Sequence, residues 1–184
     1  TRADSAQSLR FGTYQHRYEG ELRESGIFYS TETLSSDEIG LLQNYAASRG
    51  LTCIDRETFV TEKFFKIGYD YRATIVGFNL PFDISRIAIR HGPAKKSMKG
   101  GFSFTLTDDK RPPHIQVKHL SARAAFIQFA APFANQTNRS LRKRGLIEPP
   151  YRGNFLDCKT LAAAMLAKSF SLASLCDALG VENA

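Results

Sequence analysis

The stretch Thr74-Ile75-Val76-Gly77-Phe78 constrains this chain more than any other. It is short, almost wholly apolar and partly β-branched, the pattern of a strand buried on both faces. Asn79-Leu80-Pro81 follows without a spacer. Asn can cap a helix and Pro suits its first turn. Ile84, Ile87, Ala88 and His91 then recur at helical spacing, and Gly92 is placed to end the run. Strand, turn and helix meet within three residues, which points to an α/β chain. Asp83 falls in the first turn of that helix, where the dipole favours a carboxylate. It also lies beside a strand end, where ligands gather in open α/β sheets.

The rest of the chain reads as alternating elements around this junction. Leu9 to Tyr18 and Ile27-Phe28-Tyr29 form a hairpin turning at Gly20-Glu21. Ser35 or Ser36 caps a helix with Ile39, Leu42 and Ala46 at helical spacing, and Gly50 stops it. A second helix runs from about Glu57 to Tyr69. Residues 101–106, 114–118 and 124–129 read as strands of an antiparallel, β-rich insertion, set at about 95–152. Residues 134–152 are polar and basic, a loop or ribbon tip. Phe155-Leu156 ends a short strand, Asp157 caps a helix with Leu161 and Met165, and Ser171 opens a last helix closed by Gly180.

Charge narrows the partners. The 184 residues carry a net +7. Residues 1–70 hold 8 basic and 11 acidic side chains, and residues 71–184 hold 17 and 7. Between Arg86 and Arg152, 14 bases face 3 acids. A basic half suits a polyanionic partner; a solvated surface accounts for it equally well. No run of about 18 apolar residues offers a membrane span, and TRADSAQSLR lacks the apolar segment of a signal peptide. Cys53, Cys158 and Cys176 form no Cys-x-x-Cys pair and fit reduced, buried thiols of an intracellular protein, cytoplasmic or nucleoid-associated. No histidine falls at zinc-ligand spacing with them, and neither a phosphate-binding Gly-Lys loop nor a Gly-x-Ser-x-Gly elbow is present. A metal here would be held by carboxylate oxygens, which suits Mg²⁺ or Mn²⁺.

Asn79, Phe82 and Asp83, set directly after a short apolar strand, resemble the second motif of the DEDD superfamily of 3′–5′ exonucleases. Residues 154–162 (NFLDCKTLA) and 171–181 (SLASLCDALGV) are similar to segments those proteins carry before their last catalytic motif. Element order and the β insertion look most like the proofreading domains of family B-type DNA polymerases. The resemblance implies a ribonuclease H-like mixed sheet flanked by helices, with residues 1–184 forming one domain. It implies hydrolysis of single-stranded DNA from its 3′ end, with two Mg²⁺ or Mn²⁺ ions held by a carboxylate cluster. It makes Asp83 the catalytic, metal-holding carboxylate and sets Asn79 and Phe82 near the 3′-terminal nucleotide. A polymerase domain in the same parent protein is implied as well, and no membrane.

No Asp-x-Glu pair, the family's first motif, stands on a first strand here, and the family's last motif, Tyr-x-x-x-Asp or His-x-x-x-x-Asp, does not occur in these residues. The expectation is therefore a domain without its flanking motifs, binding metal poorly and hydrolysing little as it stands. A ribonuclease H-like domain that only binds nucleic acid is the alternative, and an unrelated basic α/β interaction domain is a third reading. Single residues carry plainer readings too. Asp83 serves as a helix N-terminal acid, Asn79 as a cap and Phe82 as core, while Asp157 reads better as a cap than as a fourth carboxylate. Arg139, Arg142, Lys143 and Arg144 form either a solvated tip or a phosphate contact.

Overall fold

A computed structural model describes residues 8–121, 124–130, 143–145 and 151–181. Among these residues it is a mixed α/β structure with three sheets. The chain divides into two compact units, Thr1–Phe64 and Phe65–Ala184.

In the first unit β1 (Phe11–Tyr18) and β2 (Glu21–Tyr29) pair antiparallel. Glu19 and Gly20 turn the hairpin with φ of 52° and 83°. Both lie in the left-handed region that a two-residue turn matched to strand twist requires, and glycine enters it without a Cβ penalty. Helix α1 (Ser36–Ser48) then returns the chain so that β3 (Thr52–Asp55) lies parallel to β2. A parallel pair needs such a crossover. Ser35 and Glu38 close a capping box at its start, with Ser35 N–H donating to Glu38 at 2.9 Å. Ile27, Phe28, Leu34, Ala46, Val60 and Phe64 form the buried apolar set among the described residues. The Phe28 and Phe59 rings stack at 3.9 Å. Among the described residues β1 and β3 are the edges of this sheet.

Beside the core, Tyr14 Oη–H and Lys63 Nζ each donate to Glu24, both at 2.5 Å. Burial opposes ionisation of Glu24. The bonds from Lys63 and Tyr14, together with the Lys63 charge, outweigh it and hold the carboxyl below the usual range. Burial and the same carboxylate push the Tyr14 phenol well up.

Helix α2 (Arg56–Thr58) is capped by Asp55 and continues as a wider helix with π-type bonding, Phe59–Asp70. The sequence reading placed a helix over these residues; it did not find β3.

In the second unit β4 (Thr74–Gly77) pairs in parallel with β9 (Asn154–Asp157), and Gly77 lies opposite Asp157. Helix α3 (Leu80–Ile87) follows β4 directly. Four strands come next: β5 (Arg90–Pro93), β6 (Phe102–Thr105), β7 (Ile115–Ser121) and β8 (Ala124–Phe129). They form one antiparallel sheet in sequence order. The antiparallel strands expected within residues 101–129 are present, and their sheet begins at Arg90. Its inner face carries Phe104, Ile115, Val117 and Phe129, all buried. Tyr69 and Phe155 each approach the Phe129 ring at 4.9 Å. Helices α4 (Cys158–Leu166) and α5 (Leu172–Leu179) complete the unit, burying Ala162, Phe170 and Leu175 with Phe78 against them.

Three local expectations are corrected. β4 is not buried on both faces: Thr74 and Val76 point outward, Val76 with 58% exposed. Among the described residues its one sheet neighbour is β9, so the apolar run overstated its burial. α3 stops at Ile87, because Ile89 N–H donates to Thr105 C=O and His91 and Gly92 pair with Phe104 and Ser103. Strand pairing overrides the helical spacing that included His91. The three cysteines are free, and each is partly rather than fully buried. Among the described residues no helix is long and apolar enough to cross a membrane.

Candidate carboxylate site at the β4–α3 junction

β4 ends at Gly77, and two residues later α3 begins. A Cβ on Gly77 would stand 2.6 Å from Leu80 Cδ2 and 3.5 Å from Asp83 Oδ2. Glycine therefore lets Leu80 and the Asp83 carboxyl fold back over the strand end. Pro81 occupies the first turn of α3, and Asn79 C=O accepts from Phe82 N–H at 2.9 Å and from Asp83 N–H at 3.1 Å.

Asn79 holds the N-cap position, but its side chain makes no capping bond. The cap comes from the neighbouring strand. Asp157, 9% exposed, accepts Leu80 N–H on Oδ1 at 3.0 Å. On Oδ2 it accepts Thr160 N–H at 3.0 Å and Thr160 Oγ1–H at 2.6 Å. One buried carboxylate thus terminates both α3 and α4, satisfying donors that a helix start leaves orphaned. Lys159 N–H donates to Phe78 C=O at 3.0 Å and ties the same two segments again. Asp157 is the cap the sequence suggested, and it caps a second helix as well.

Asp83 is the other acid of the junction. Its side chain reaches solvent, while its carboxyl is partly enclosed. That enclosure, and next the nearby Asp157 charge, raise its pKa above the ordinary carboxylate value. Two acids at the C-terminal ends of adjacent parallel strands repel, and a bound cation would relieve that repulsion. The donor chemistry fits a hard divalent ion. Asp83 can turn carboxylate oxygens toward it, and Asp157, occupied by three hydrogen bonds, is placed to act through its charge. Among the described residues no three His, Cys, Asp or Glu side chains are grouped to hold a metal.

Phe82 is 42% exposed, so the core reading does not hold for it. The Arg86 guanidinium lies over its ring at 4.6 Å. One turn of α3 therefore presents an aromatic face, a cation and a carboxylate together. Sequence reasoning missed Arg86, although its spacing of four from Phe82 was the available signal. It also missed that Asp157 caps α3, which follows from the β4–β9 pairing and has no local signature.

Asn79, Phe82 and Asp83 are thus gathered in one turn. Lys143 and Arg144 are exposed, and no interaction among the described residues joins them to it. Arg142 and Arg139 lie outside the described residues. No family model, curated protein or solved structure matches the chain.

Proposed function

We propose that this chain belongs to a 3′–5′ exonuclease of the DEDD type, with a ribonuclease H-like core. In this reading it works as the proofreading part of a DNA polymerase-like protein and hydrolyses phosphodiester bonds of single-stranded DNA. The observation that carries the reading is the placement of Asp83: a solvent-facing carboxylate with a raised pKa, in the first turn of a helix that leaves a strand end directly, braced by the buried Asp157. The basic second half supports it by suiting a polyanionic substrate.

Each residue then has a defined task. Asp83 holds a divalent ion. Asp157 fixes the start of α3 and so the position of Asp83. Phe82, backed by the Arg86 guanidinium, offers a face for the terminal base, and Asn79 offers its amide, which makes no capping bond, to the terminal nucleotide. The ions supply charge stabilisation for the attacking and leaving oxygens. Lys143 and Arg144, with Arg142, supply phosphate contacts further along the strand. The test is a single strand labelled at its 5′ end, incubated with the natural full-length polypeptide and Mg²⁺ or Mn²⁺. A ladder shortening from the 3′ end, abolished by EDTA, is expected; internal cuts or an untouched strand would refute the reading.

The basic segment also favours a second reading, nucleic-acid binding without cleavage. In that case the strand is retained and shifted in a gel but stays intact with either metal.

A further inference from the structure

The outer face of the four-stranded sheet differs from its buried one. Residues paired across antiparallel strands share a face, and side chains alternate along each strand. Ser103 lies opposite Gln116, Gln116 opposite Gln128, and Lys118 opposite Phe126. Arg90, paired with Thr105, joins the same face from β5. Ile115, Val117 and Phe129, all buried, point the other way. The outer face is therefore polar and cationic with a single aromatic, Phe126, which is 58% exposed. None of the four strands contains Asp or Glu. Arg90 meets Asp108 at 2.7 Å in a surface pair, of the kind that salt or a phosphate displaces readily.

We propose that this face is a second binding surface, away from the Asp83 turn in sequence and in secondary structure, for a single-stranded nucleic acid. The chemistry matches on three counts. Phe126 gives any base a flat apolar partner, and Lys118 beside it in register places a cation for the adjoining phosphate. Gln128 Nε2–H donates to Gln116 Oε1 at 2.9 Å, and each amide keeps further donor or acceptor capacity for base edges. The strands carry no acid that would repel a phosphate backbone. The proposal extends the nuclease reading and rests on it for the choice of a single strand over a duplex. Both DNA and RNA strands offer the base and phosphate chemistry used.

The test is fluorescence anisotropy of labelled 12-nucleotide oligo-dT and oligo-rU with the full-length polypeptide in EDTA, so that binding is read without hydrolysis. Phe126→Ala is expected to weaken binding by about five-fold to a hundred-fold. Phe126→Tyr restores it, which separates stacking from a folding defect. Lys118→Ala lowers the slope of log K against log salt by about 0.7. A preference for oligo-rU or for oligo-dT identifies which strand is used. Unchanged affinity in Phe126→Ala, tighter binding of polyglutamate than of either oligonucleotide, or no binding by the wild type overturns the proposal. Phe126-dependent binding without cleavage in Mg²⁺ or Mn²⁺ keeps it and overturns the nuclease reading alone.

Discussion

Asp157 accepts the backbone N–H of Leu80 at 3.0 Å, 77 residues away in sequence, and so terminates a helix to which it does not belong. The bond fixes α3 to the end of β9, and with it the turn that carries Asn79, Phe82 and Asp83.

Removing that carboxylate leaves a buried N–H at the start of α3 and uncaps α4. Each cap contributes about 1 kcal/mol, so Asp157→Ala should cost about 2–3 kcal/mol in urea unfolding. Asp157→Asn keeps one accepting oxygen where two are used. It should lose about half as much, and a loss equal to that of alanine would contradict the shared-cap account.

The raised pKa of Asp83 gives a pH signature of known sign. The folded state disfavours its charged form, so stability falls as pH rises from the ordinary carboxylate value through the raised one. Asp83→Asn should raise the melting temperature at pH 7.5, with the gain fading as the pH is lowered below the ordinary carboxylate value. In the natural full-length polypeptide, Mg²⁺ or Mn²⁺ should raise the melting temperature, and the same polypeptide carrying Asp83→Asn should be unmoved. An equal metal response in both proteins would remove Asp83 from the metal site.

Gly77 is required by close approach. In Gly77→Ala the new methyl, 2.6 Å from Leu80 Cδ2, forces the helix start or the Leu80 rotamer to move. A loss of about 1–3 kcal/mol is expected, together with a weaker metal response, because the same displacement shifts Asp83. Calorimetry with and without metal reads both.

In the first unit the Glu24 carboxyl is held below its usual range, so its contribution has the opposite pH course. It is present above the unfolded carboxylate value and is lost as pH falls through the lower folded one. Glu24→Gln should destabilise the protein at pH 7, and the difference from wild type should close in acid titrations followed by circular dichroism.

Much of this architecture was legible locally. The Ser35-Ser36 pair, Ser171, and Gly50 and Gly180 mark helix ends because caps and left-handed turns are short-range chemistry. The alternation in residues 101–129 revealed its sheet for the same reason. What failed depended on distant partners. His91 looked helical by spacing and joined a strand because β6 offered it a ladder. Val76 looked buried because its apolarity does not say how many sides of β4 are covered. At the junction, Asn79, Phe82 and Asp83 were readable as a set. Their dependence on Asp157 was not, since it arises only when β4 and β9 lie side by side.

The central claim is that the Asp83 carboxylate belongs to a nuclease metal site. The most direct measurement is the rate of Mn²⁺-dependent release of 3′-terminal nucleotides from single-stranded DNA by the natural full-length polypeptide, compared with the same protein carrying Asp83→Ala. Loss of a metal-holding carboxylate should lower that rate by at least about a hundred-fold while the fold is retained. A rate that survives Asp83→Ala would contradict the account.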